Sequence, residues 1–434
     1  MNSRTSFIRS TRHIGCALAL GGGVIACGMD SSESSPSGTR LDGENQHGLA
    51  VGADDGARNE PAAACGPSVP PDGAQLWKYD LGVTGSLEPA TVAGDAAGNV
   101  FHASKATGVN KLSPDGALLW HVAFGDVVAA HAEGDAYVGS SSTTAETKVA
   151  KLDASGATVW SRAIGNGIPQ SIAVAADRSV LVSGQGLGTI RLDAQGQVQW
   201  TKPFGGYVAF STSGDALITG SFEGTIDLGG GPVVSRGRAD AFIVRLTVDG
   251  THRWSHVLGD ANLPIQRPGG TGTVTQPSDQ LGKGIAEAPN GDILVTGYAR
   301  DTIKLFGDDI ATPSSPDVGV LPLIYVARLD RTGNVLWKTR ELTFRDVRGL
   351  AVDPSGNAIV SGGTMGNVRP YVLTWIKKYN PSGATVWKLS EKFGSGFADS
   401  VATDYCGNIL LGLETATTVG PNGVIHGYVA KLRP

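Results

Sequence analysis

The sequence predicts an all-β protein, a seven-bladed β-propeller in which each blade has four antiparallel strands. The first observation is that two kinds of hairpin alternate along the chain. The second is the composition, since 62 of the 434 residues are glycine and only 17% are charged. Such a composition is typical of short strands joined by tight turns. Tryptophan marks the repeat in seven places, namely Trp77, Trp120, Trp160, Trp200, Trp254, Trp337 and Trp387.

The first kind of hairpin ends in tryptophan. It occurs as KLSPDGALLW, KLDASGATVW, RLDAQGQVQW, RLTVDGTHRW, RLDRTGNVLW and KYNPSGATVW. In each segment two short strands flank a turn that contains glycine, which is a hairpin signal.

The second kind lies between these segments, as AGDAAGNVFHA, AEGDAYVGS, AADRSVLVSG, STSGDALITG, APNGDILVTG, DPSGNAIVSG and DYCGNILLG. Two hairpins per period give four strands, and seven periods give seven blades. A repeat of 40 residues, as between Trp120 and Trp160, is typical of a β-propeller.

The two ends of the repeat region predict how the ring closes. The chain ends in HGYVAKLRP, which matches the third strand of the other blades and lacks a following strand with tryptophan. The missing strand is DGAQLW, at residues 72–77. We therefore expect residues 73–81 to complete the seventh blade together with residues 399–434, which would remove exposed sheet edges.

The first 26 residues have the organisation of a secretory signal. Three arginines and no acid precede an apolar run from Ile14 to Ala26, which is too short to span about 30 Å of hydrocarbon as a helix. The tetrapeptide VIAC, ending at Cys27, resembles the bacterial lipobox. This resemblance implies a lipid on Cys27, and Gly28 after it favours the outer membrane; an ordinary signal peptide is the alternative.

These features divide the chain into three parts. Residues 1–26 are the predicted signal peptide, residues 27–72 a flexible acidic tether that cannot bury a core, and residues 73–434 the propeller. We expect an extracytoplasmic protein, periplasmic or surface-exposed, that a lipid anchors in the outer membrane or the cell membrane.

The repeats resemble a known family of bacterial propellers. The segments GSFEGTIDLGGG and ADAFIVRLTVDGTHRWSHVLG of the fourth blade are similar to the SBBP-type repeat, and more distantly to the tryptophan-docking repeats of quinoprotein-like propellers. The resemblance covers residues 73–434 and implies the fold. It implies no activity, because one fold hosts unrelated functions.

Residues that recur in every blade are interpreted as structural. The tryptophans are expected to fill the wedge between blades rather than to stack on a cofactor. A ring of cations is expected to pair with local acids such as Asp153, Asp193 and Asp330 rather than to bind one anion. The cations are Lys111, Lys151, Arg191, Arg245, Arg328, Lys378 and Lys431.

Motifs that carry chemistry are not found in the sequence. It contains no HExxH, GxSxG, GxxxxGK[ST] or CxxC pattern, and we expect no metal, cofactor or catalytic residue. A quinoprotein dehydrogenase is rejected because the chain lacks adjacent cysteines. The formal net charge of −5 argues against nucleic acid, which needs a basic surface.

Two cysteines remain once Cys16 is assigned to the signal and Cys27 to the lipid. Cys406 is placed in the turn between the first two strands of the seventh blade, and Cys65 lies eight residues before Gly73. The seven residues between Cys65 and Gly73 reach up to about 23 Å. We predict a Cys65–Cys406 disulfide, formed in an oxidising compartment; two unpaired thiols are the alternative.

Long insertions all leave the same face of the predicted ring, at 222–238, 259–282, 300–322, 363–371 and 413–425. Long loops on a rigid scaffold often bind ligands, although neutral insertion is an alternative. Segments near the axis on this face supply a candidate polar mouth formed by Asp126, Lys283, Arg348 and Asp399.

Two functions follow from these observations. The favoured one is a monomeric, lipid-anchored and non-enzymatic propeller that binds an envelope protein or a polysaccharide. The alternative is a carbohydrate-active enzyme, a lyase or a hydrolase, that uses carboxylates at the channel mouth such as Asp126 and Asp399.

Overall fold

A computed structural model describes most of the propeller region. The described residues are 73–84, 90–141, 146–261, 265–266, 273–274, 279–311, 314–315, 319–320, 322–342, 346–365, 372–416 and 425–434. They form β-strands and turns, and none of their segments is a helix with the length and apolarity needed to cross a bilayer. The signal peptide, Cys27, the tether and Cys65 lie outside this part of the chain.

The first blades along the chain are regular four-stranded sheets. The strand β1 (Gln75–Val83) precedes them and belongs to blade seven. Blade one contains β2 (Ala90–Gly94), β3 (Val100–Ser104), β4 (Gly108–Leu112) and β5 (Leu118–Val122). Blade two contains β6 (Val127–Ala130), β7 (Ala136–Ser140), β8 (Lys148–Leu152) and β9 (Thr158–Ala163). Blade three contains β10 (Ile168–Val174), β11 (Val180–Gln185), β12 (Gly188–Leu192) and β13 (Val198–Lys202).

Blades four and five carry additional short hairpins. Blade four begins with β14 (Gly206–Phe210) and β15 (Ala216–Phe222), continues into the hairpin β16 (Thr225–Asp227) and β17 (Pro232–Val234), and ends with β18 (Asp240–Leu246) and β19 (His252–Leu258). A two-stranded pair, β20 (Ile265–Gln266) and β21 (Thr273–Val274), precedes blade five.

Blade five begins with β22 (Gln280–Glu287) and β23 (Ile293–Ala299). Its hairpins are β24 (Thr302–Leu305) with β25 (Asp308–Ala311) and β26 (Ser314–Ser315) with β27 (Gly319–Val320), after which come β28 (Leu323–Leu329) and β29 (Val335–Leu342).

Blades six and seven share one long strand. Blade six consists of β30 (Val347–Val352), β31 (Ala358–Met365), β32 (Val372–Tyr379) and the first half of β33 (Thr385–Thr403). The second half of β33 begins blade seven, which continues with β34 (Ile409–Ala416) and β35 (Ile425–Leu432). The seven-bladed propeller with four antiparallel strands per blade is thereby confirmed.

The N-terminal strand closes the ring, as predicted. β1 pairs antiparallel with β35, from Gln75 opposite Leu432 to Val83 opposite His426. The Gly73 amide donates to the Arg433 carbonyl at 3.2 Å. The outer strand of blade seven therefore comes from the opposite end of the described chain.

The hydrophobic core lies between neighbouring blades. Phe101 and Val109 of blade one, for example, pack with Val128 and Val138 of blade two in one buried cluster. Each blade thus buries apolar surface against both neighbours, and each of these contacts stabilises the ring.

The repeated tryptophans connect each blade to the next one, which confirms their packing role. The Nε1 of Trp120 donates to the Ala154 carbonyl at 2.9 Å, and a Cβ on Gly156 would stand 2.9 Å from the indole ring. Gly156 has φ of +88°, so glycine is required there for two reasons. The same bond to the following blade is made by Trp77, Trp160, Trp200, Trp254 and Trp337.

Trp387 is the exception. Its indole N–H has no hydrogen-bond partner among the described residues. The third and fourth strands of blade seven are β35 and β1, so no turn joins them. Within the described residues, the turn carbonyl that serves the other tryptophans therefore has no counterpart beside Trp387.

Six of the seven cations in the ring are paired with acids, but the prediction that the acids are Asp153, Asp193 and Asp330 is wrong. The cations contact acids in the first turn of their own blade, in the pairs Lys111–Asp95, Lys151–Asp135, Arg245–Asp215, Arg328–Asp292, Lys378–Asp353 and Lys431–Asp404 at 2.7–3.7 Å. Asp193 instead accepts the amides of Gln195 and Gln197 in its own turn.

The acid occupies one of two positions in the five-residue first turn. Blade one has Asp95 followed by Asn99, whereas blade two has His131 followed by Asp135. Blade three has neither, because Ala175 and Ser179 occupy the two positions. Its cation Arg191 donates to the Gly214 carbonyl at 2.7 Å, and no carboxylate among the described residues lies within ion-pair distance of it.

Two insertions of the long-loop face have a packing role. Ile226 and Leu228 of the β16–β17 hairpin join the cluster around Trp200 and Phe242. Ile303, Leu305 and Ile310 of the β24–β25 hairpin join the cluster around Trp254. In these two segments, apolar side chains fill the space between neighbouring blades, which favours a packing role over a role as free binding loops.

Candidate functional site

Four of the seven innermost strands carry a one-residue bulge at the same position of the blade. The extra residues are Gln170 in β10, Lys283 in β22, Arg348 in β30 and Asp399 in β33. A β-bulge re-aims a side chain and is frequent beside functional sites. All four bulge residues line one cavity on the ring axis, and all four are polar.

This central cavity has a volume of about 610 Å³ and is lined by the innermost strands of all seven blades. The four residues predicted for the polar mouth, Asp126, Lys283, Arg348 and Asp399, all line it. Their spatial convergence is observed, whereas ligand binding by them stays a prediction. Sequence reasoning missed the lining residues Lys105, Gln170, Asp346 and Ser400; an alignment of the blades would have found Gln170 at the position of Lys283.

Arg348 and Asp399 form the most buried ion pair of the cavity wall. Nη1 of Arg348 contacts Oδ1 of Asp399, whose side chain is only 1% exposed. The Arg348 guanidinium also lies over the ring of Phe397, 3.9 Å from its centroid. Burial raises the pKa of Asp399 to about 6, against the opposing effect of Arg348 and with a smaller contribution from Asp346.

This raised pKa predicts a pH-dependent stability. The folded state holds the Asp399 proton to about pH 6, whereas the unfolded state releases it near 3.8. The contribution of Asp399 to stability is therefore highest below about pH 4 and falls by up to about 3 kcal/mol as the pH rises to 7. Denaturant unfolding of the wild type and Asp399→Asn between pH 4 and 7 measures this change, and a difference that stays constant with pH would contradict it.

Asp126 and Lys283 have different surroundings. Oδ2 of Asp126 accepts the Ser141 amide at 2.8 Å and also the Ser141 hydroxyl. The Lys283 ammonium stands 5.8 Å from the ring centroid of Tyr298. No acid among the described residues forms an ion pair with Lys283, so its charge is available to the cavity.

A second cavity, which we call the outer groove, adjoins the central cavity on the long-loop face. It has a volume of about 820 Å³ and runs between the β11–β12 turn and the β16–β17 hairpin. Gln170, Tyr207 and Lys283 line both cavities. At its outer side Arg238, 68% exposed, reaches Asp279 at 3.1 Å and Glu223 at 3.7 Å. The two cavities are therefore neighbours that share Gln170, Tyr207 and Lys283.

Neither cavity has the features of a metal centre. Within the described residues no group of three or more His, Cys, Asp or Glu side chains is close enough to hold a metal ion. The acceptors that are present belong to separate pairs, such as Asp126 with Ser141.

Cys406 lies where the prediction put it, in the turn between the first two strands of blade seven. Its sulfur is disulfide-bonded. A Cβ on the neighbouring Gly407 would stand 3.6 Å from Pro434, so this turn lies beside the point where the ring closes. Cys65 lies outside the described residues, and its pairing with Cys406 stays a prediction.

Comparison with known proteins finds propellers. Residues 68–264 match the family model of the outer membrane protein assembly factor BamB, which supports the distant resemblance to quinoprotein-like propeller repeats. The match covers less than half of the chain. No curated protein matches the chain.

Several solved structures are similar at low identity. BamB from Moraxella catarrhalis is 15% identical over 82% of this chain and 99% of that chain, with a TM-score of 0.41. The WD40 β-propeller domain of Doa1 is 12% identical over 82% and 97%, with a TM-score of 0.47. A protein of unknown function from Bacteroides caccae is 16% identical over 58% and 81%, with a TM-score of 0.36. No functional assignment follows from these values.

Proposed function

We propose that this chain is a lipid-anchored envelope protein that binds another envelope protein in the outer groove and performs no catalysis. The observation that supports the proposal is that the outer groove lies next to the central cavity and shares Gln170, Tyr207 and Lys283 with it. Together they offer a long concave surface on the face that carries the insertions. Concave surfaces of rigid propellers suit extended segments of a partner.

The side chains of the outer groove fit a protein partner. Its floor and walls contain Phe222, Tyr207 and Tyr298, while Glu223 and Arg238 form an exposed, charged outer edge. An aromatic centre with a polar rim is the usual anatomy of a protein interface. Exposed ion pairs at such a rim contribute to specificity more than to affinity.

The described chain enters the propeller on the face opposite the outer groove. Gly73, where the described chain enters the propeller, pairs with Arg433 on the face of the short turns. The outer groove opens on the opposite face.

The cellular location is supported by two independent observations. The lipobox-like VIAC at residues 24–27 predicts export and lipidation. The partial match to a family named for outer membrane protein assembly is consistent with a place outside the cytoplasm. Anchoring and the leaflet remain part of the proposal.

Site-specific photo-crosslinking in the native cells tests the proposal. A photoreactive amino acid replaces Gln185 in the outer groove, and in the matched control it replaces Gln195 in an exposed turn of the same blade on the short-turn face. We expect the Gln185 variant to form a discrete adduct with one envelope protein, recovered from the membrane fraction, and the Gln195 variant to form none. The same adducts from both positions, or none from Gln185, would refute docking in the groove.

A further inference from the structure

The β16–β17 hairpin presents one of its two edges to the outer groove. Thr225, Ile226 and Asp227 of β16 line this groove, whereas none of the described residues of β17 does. β16 pairs with β17 and with no other strand in the described part of the chain. A strand with an unpaired edge offers a row of main-chain amides and carbonyls to which another strand can bond.

The hydrogen-bond pattern of the hairpin determines which main-chain groups face the groove. The Ser235 amide donates to the Gly224 carbonyl at 2.8 Å, so these two residues form a hydrogen-bonded pair. The pairs that follow are Thr225 with Val234, Ile226 with Val233 and Asp227 with Pro232. Because hydrogen-bonded and non-hydrogen-bonded pairs alternate in an antiparallel ladder, the amides and carbonyls of Thr225 and Asp227 point away from β17. Both residues are exposed, so these main-chain groups are open to the groove.

The opposite edge of the hairpin is blocked. Pro232 forms a non-hydrogen-bonded pair with Asp227, so its nitrogen lies on the edge of β17 that faces away from β16. Proline has no N–H to donate, and proline on an edge strand hinders the addition of a further strand. β16 contains no proline. The hairpin is thus protected against strand pairing on its outer edge and open on the edge that lines the groove.

The charged side chains of the outer groove indicate the charge of its partner. Glu223 and Asp279 both contact Arg238, at 3.7 and 3.1 Å. The Asp227 carboxylate accepts two main-chain amides of its own turn. Lys283 also lines the groove, and no acid that the structure describes is within ion-pair distance of it. A carboxylate of the partner would form a charge-assisted hydrogen bond with this ammonium group.

Resting on the docking proposed above, we propose that the partner enters the outer groove as an extended, acidic segment that adds a third strand to the β16–β17 hairpin. The main chain of this segment bonds to the amides and carbonyls of Thr225 and Asp227, and one of its carboxylates contacts Lys283. In strand addition the main-chain bonds provide affinity, and alternate side chains provide specificity. Tyr207 and Phe222, which line the same groove, are the surfaces for those side chains.

Proline substitutions in the hairpin test the strand addition, with the crosslinker at Gln185 as the readout in the native cells. Thr225→Pro removes an N–H that faces the groove and leaves the bonds between β16 and β17 in place. Its matched control is Val234→Pro, which removes the N–H of the residue opposite, on the blocked edge. We expect Thr225→Pro to lower the yield of the adduct by about tenfold or more. Val234→Pro and Thr225→Ala, which keeps the main-chain N–H, should give the wild-type yield.

Lys283→Gln tests the charge of the segment and should lower the yield several-fold. Mass spectrometry of the adduct identifies the crosslinked segment, which we expect to contain aspartate or glutamate. Thermal melting verifies that each variant is folded. A synthetic peptide with the sequence of that segment, added to the purified full-length protein, should slow amide exchange in β16 but not in β17, which is a measurement that needs no variant.

The outcomes separate this proposal from the docking on which it rests. No adduct at Gln185 without further substitutions refutes docking and strand addition together. A wild-type yield in folded Thr225→Pro, an equal loss in Val234→Pro, or unchanged exchange in β16 overturns the strand addition and leaves docking in the groove standing. A segment without an acidic residue, or a wild-type yield in Lys283→Gln, overturns the acidic character of the partner.

Discussion

Replacing Asp404 with alanine is expected to lower the free energy of unfolding by about 3–5 kcal/mol. Asp404 Oδ2 lies 2.8 Å from the Lys431 ammonium, and the two side chains are only 2% and 6% exposed. Alanine would leave Lys431 buried without a counter-charge, next to the closure between β35 and β1. It would also remove the acceptor of the Asn408 amide at 2.8 Å. Denaturant titration measures the effect.

Two further variants distinguish the effect of losing the ion pair from the effect of losing a hydrogen-bond acceptor in a turn. In Asp404→Ala/Lys431→Met no unpaired charge remains, so the double variant should be more stable than Asp404→Ala alone. Asp193→Ala removes a turn acceptor that is exposed and should cost only about 1 kcal/mol. If Asp404→Ala costs no more than Asp193→Ala, the buried pair does not stabilise the ring.

Replacing Cys406 with serine is expected to cost about 2–5 kcal/mol under oxidising conditions, because the proposed Cys65–Cys406 bond would enclose almost the whole propeller. The strand register supports the pairing. Ile409 follows the turn that contains Cys406 and lies opposite Leu432 on the neighbouring strand. Leu432 in turn lies opposite Gln75, at the start of β1. The turn and the start of β1 are thus two strand spacings apart, about 10 Å, well within reach of the segment from Cys65.

A mutant cycle identifies the partner. Cys65→Ser, Cys406→Ser and the double variant should have the same stability, since each removes the same bond. A reducing agent should lower the free energy of unfolding of the wild type to that of the variants and leave the variants unchanged. A Cys65→Ser protein as stable as the oxidised wild type would contradict the pairing.

The fold could be predicted because its determinants are local and repeated. A tryptophan and the glycine of the following blade's turn, such as Trp120 and Gly156, contact each other across every regular junction, so their spacing in the sequence reports the period of the ring. The closure followed from the same count, because β1 supplies the strand that the end of the chain lacks.

The partners of the cations were mispredicted for a physical reason. Asp153 is two residues from Lys151 and suggested a local pair, but it lies in the turn after β8, where its Oδ1 accepts the amides of Ser155 and Ala157. The true partner Asp135 is on the turn beside the adjacent strand. Because the acid moves between two positions of that turn, as in Asp95 and Asp135, the pattern becomes visible only once the blades are superposed.

The candidate site was predicted in part. Asp126, Lys283, Arg348 and Asp399 were found because segments that follow a blade junction must lie near the axis. The bulges at Lys283, Arg348 and Asp399 were not predicted, because a bulge depends on the register between two strands rather than on the sequence of either strand. The packing role of Ile303 and Leu305 was missed for a related reason. Whether a hairpin is buried depends on the space between the two blades that it contacts, and the hairpin's own sequence does not describe that space.

Blade three, whose cation Arg191 is bonded to the Gly214 carbonyl rather than to a carboxylate of its own first turn, is expected to give the ring an uneven resistance to local opening. Segments with fewer buried ties open at a lower free energy, so amide hydrogens of β10 and β11 are expected to exchange before those of their counterparts. Gln170 and Ser171 of β10 line the central cavity, and Gln170 also lines the outer groove. Blade three borders both cavities, as blades four and five do through Tyr207 and Lys283, so its fluctuations would move part of the wall that the two cavities share.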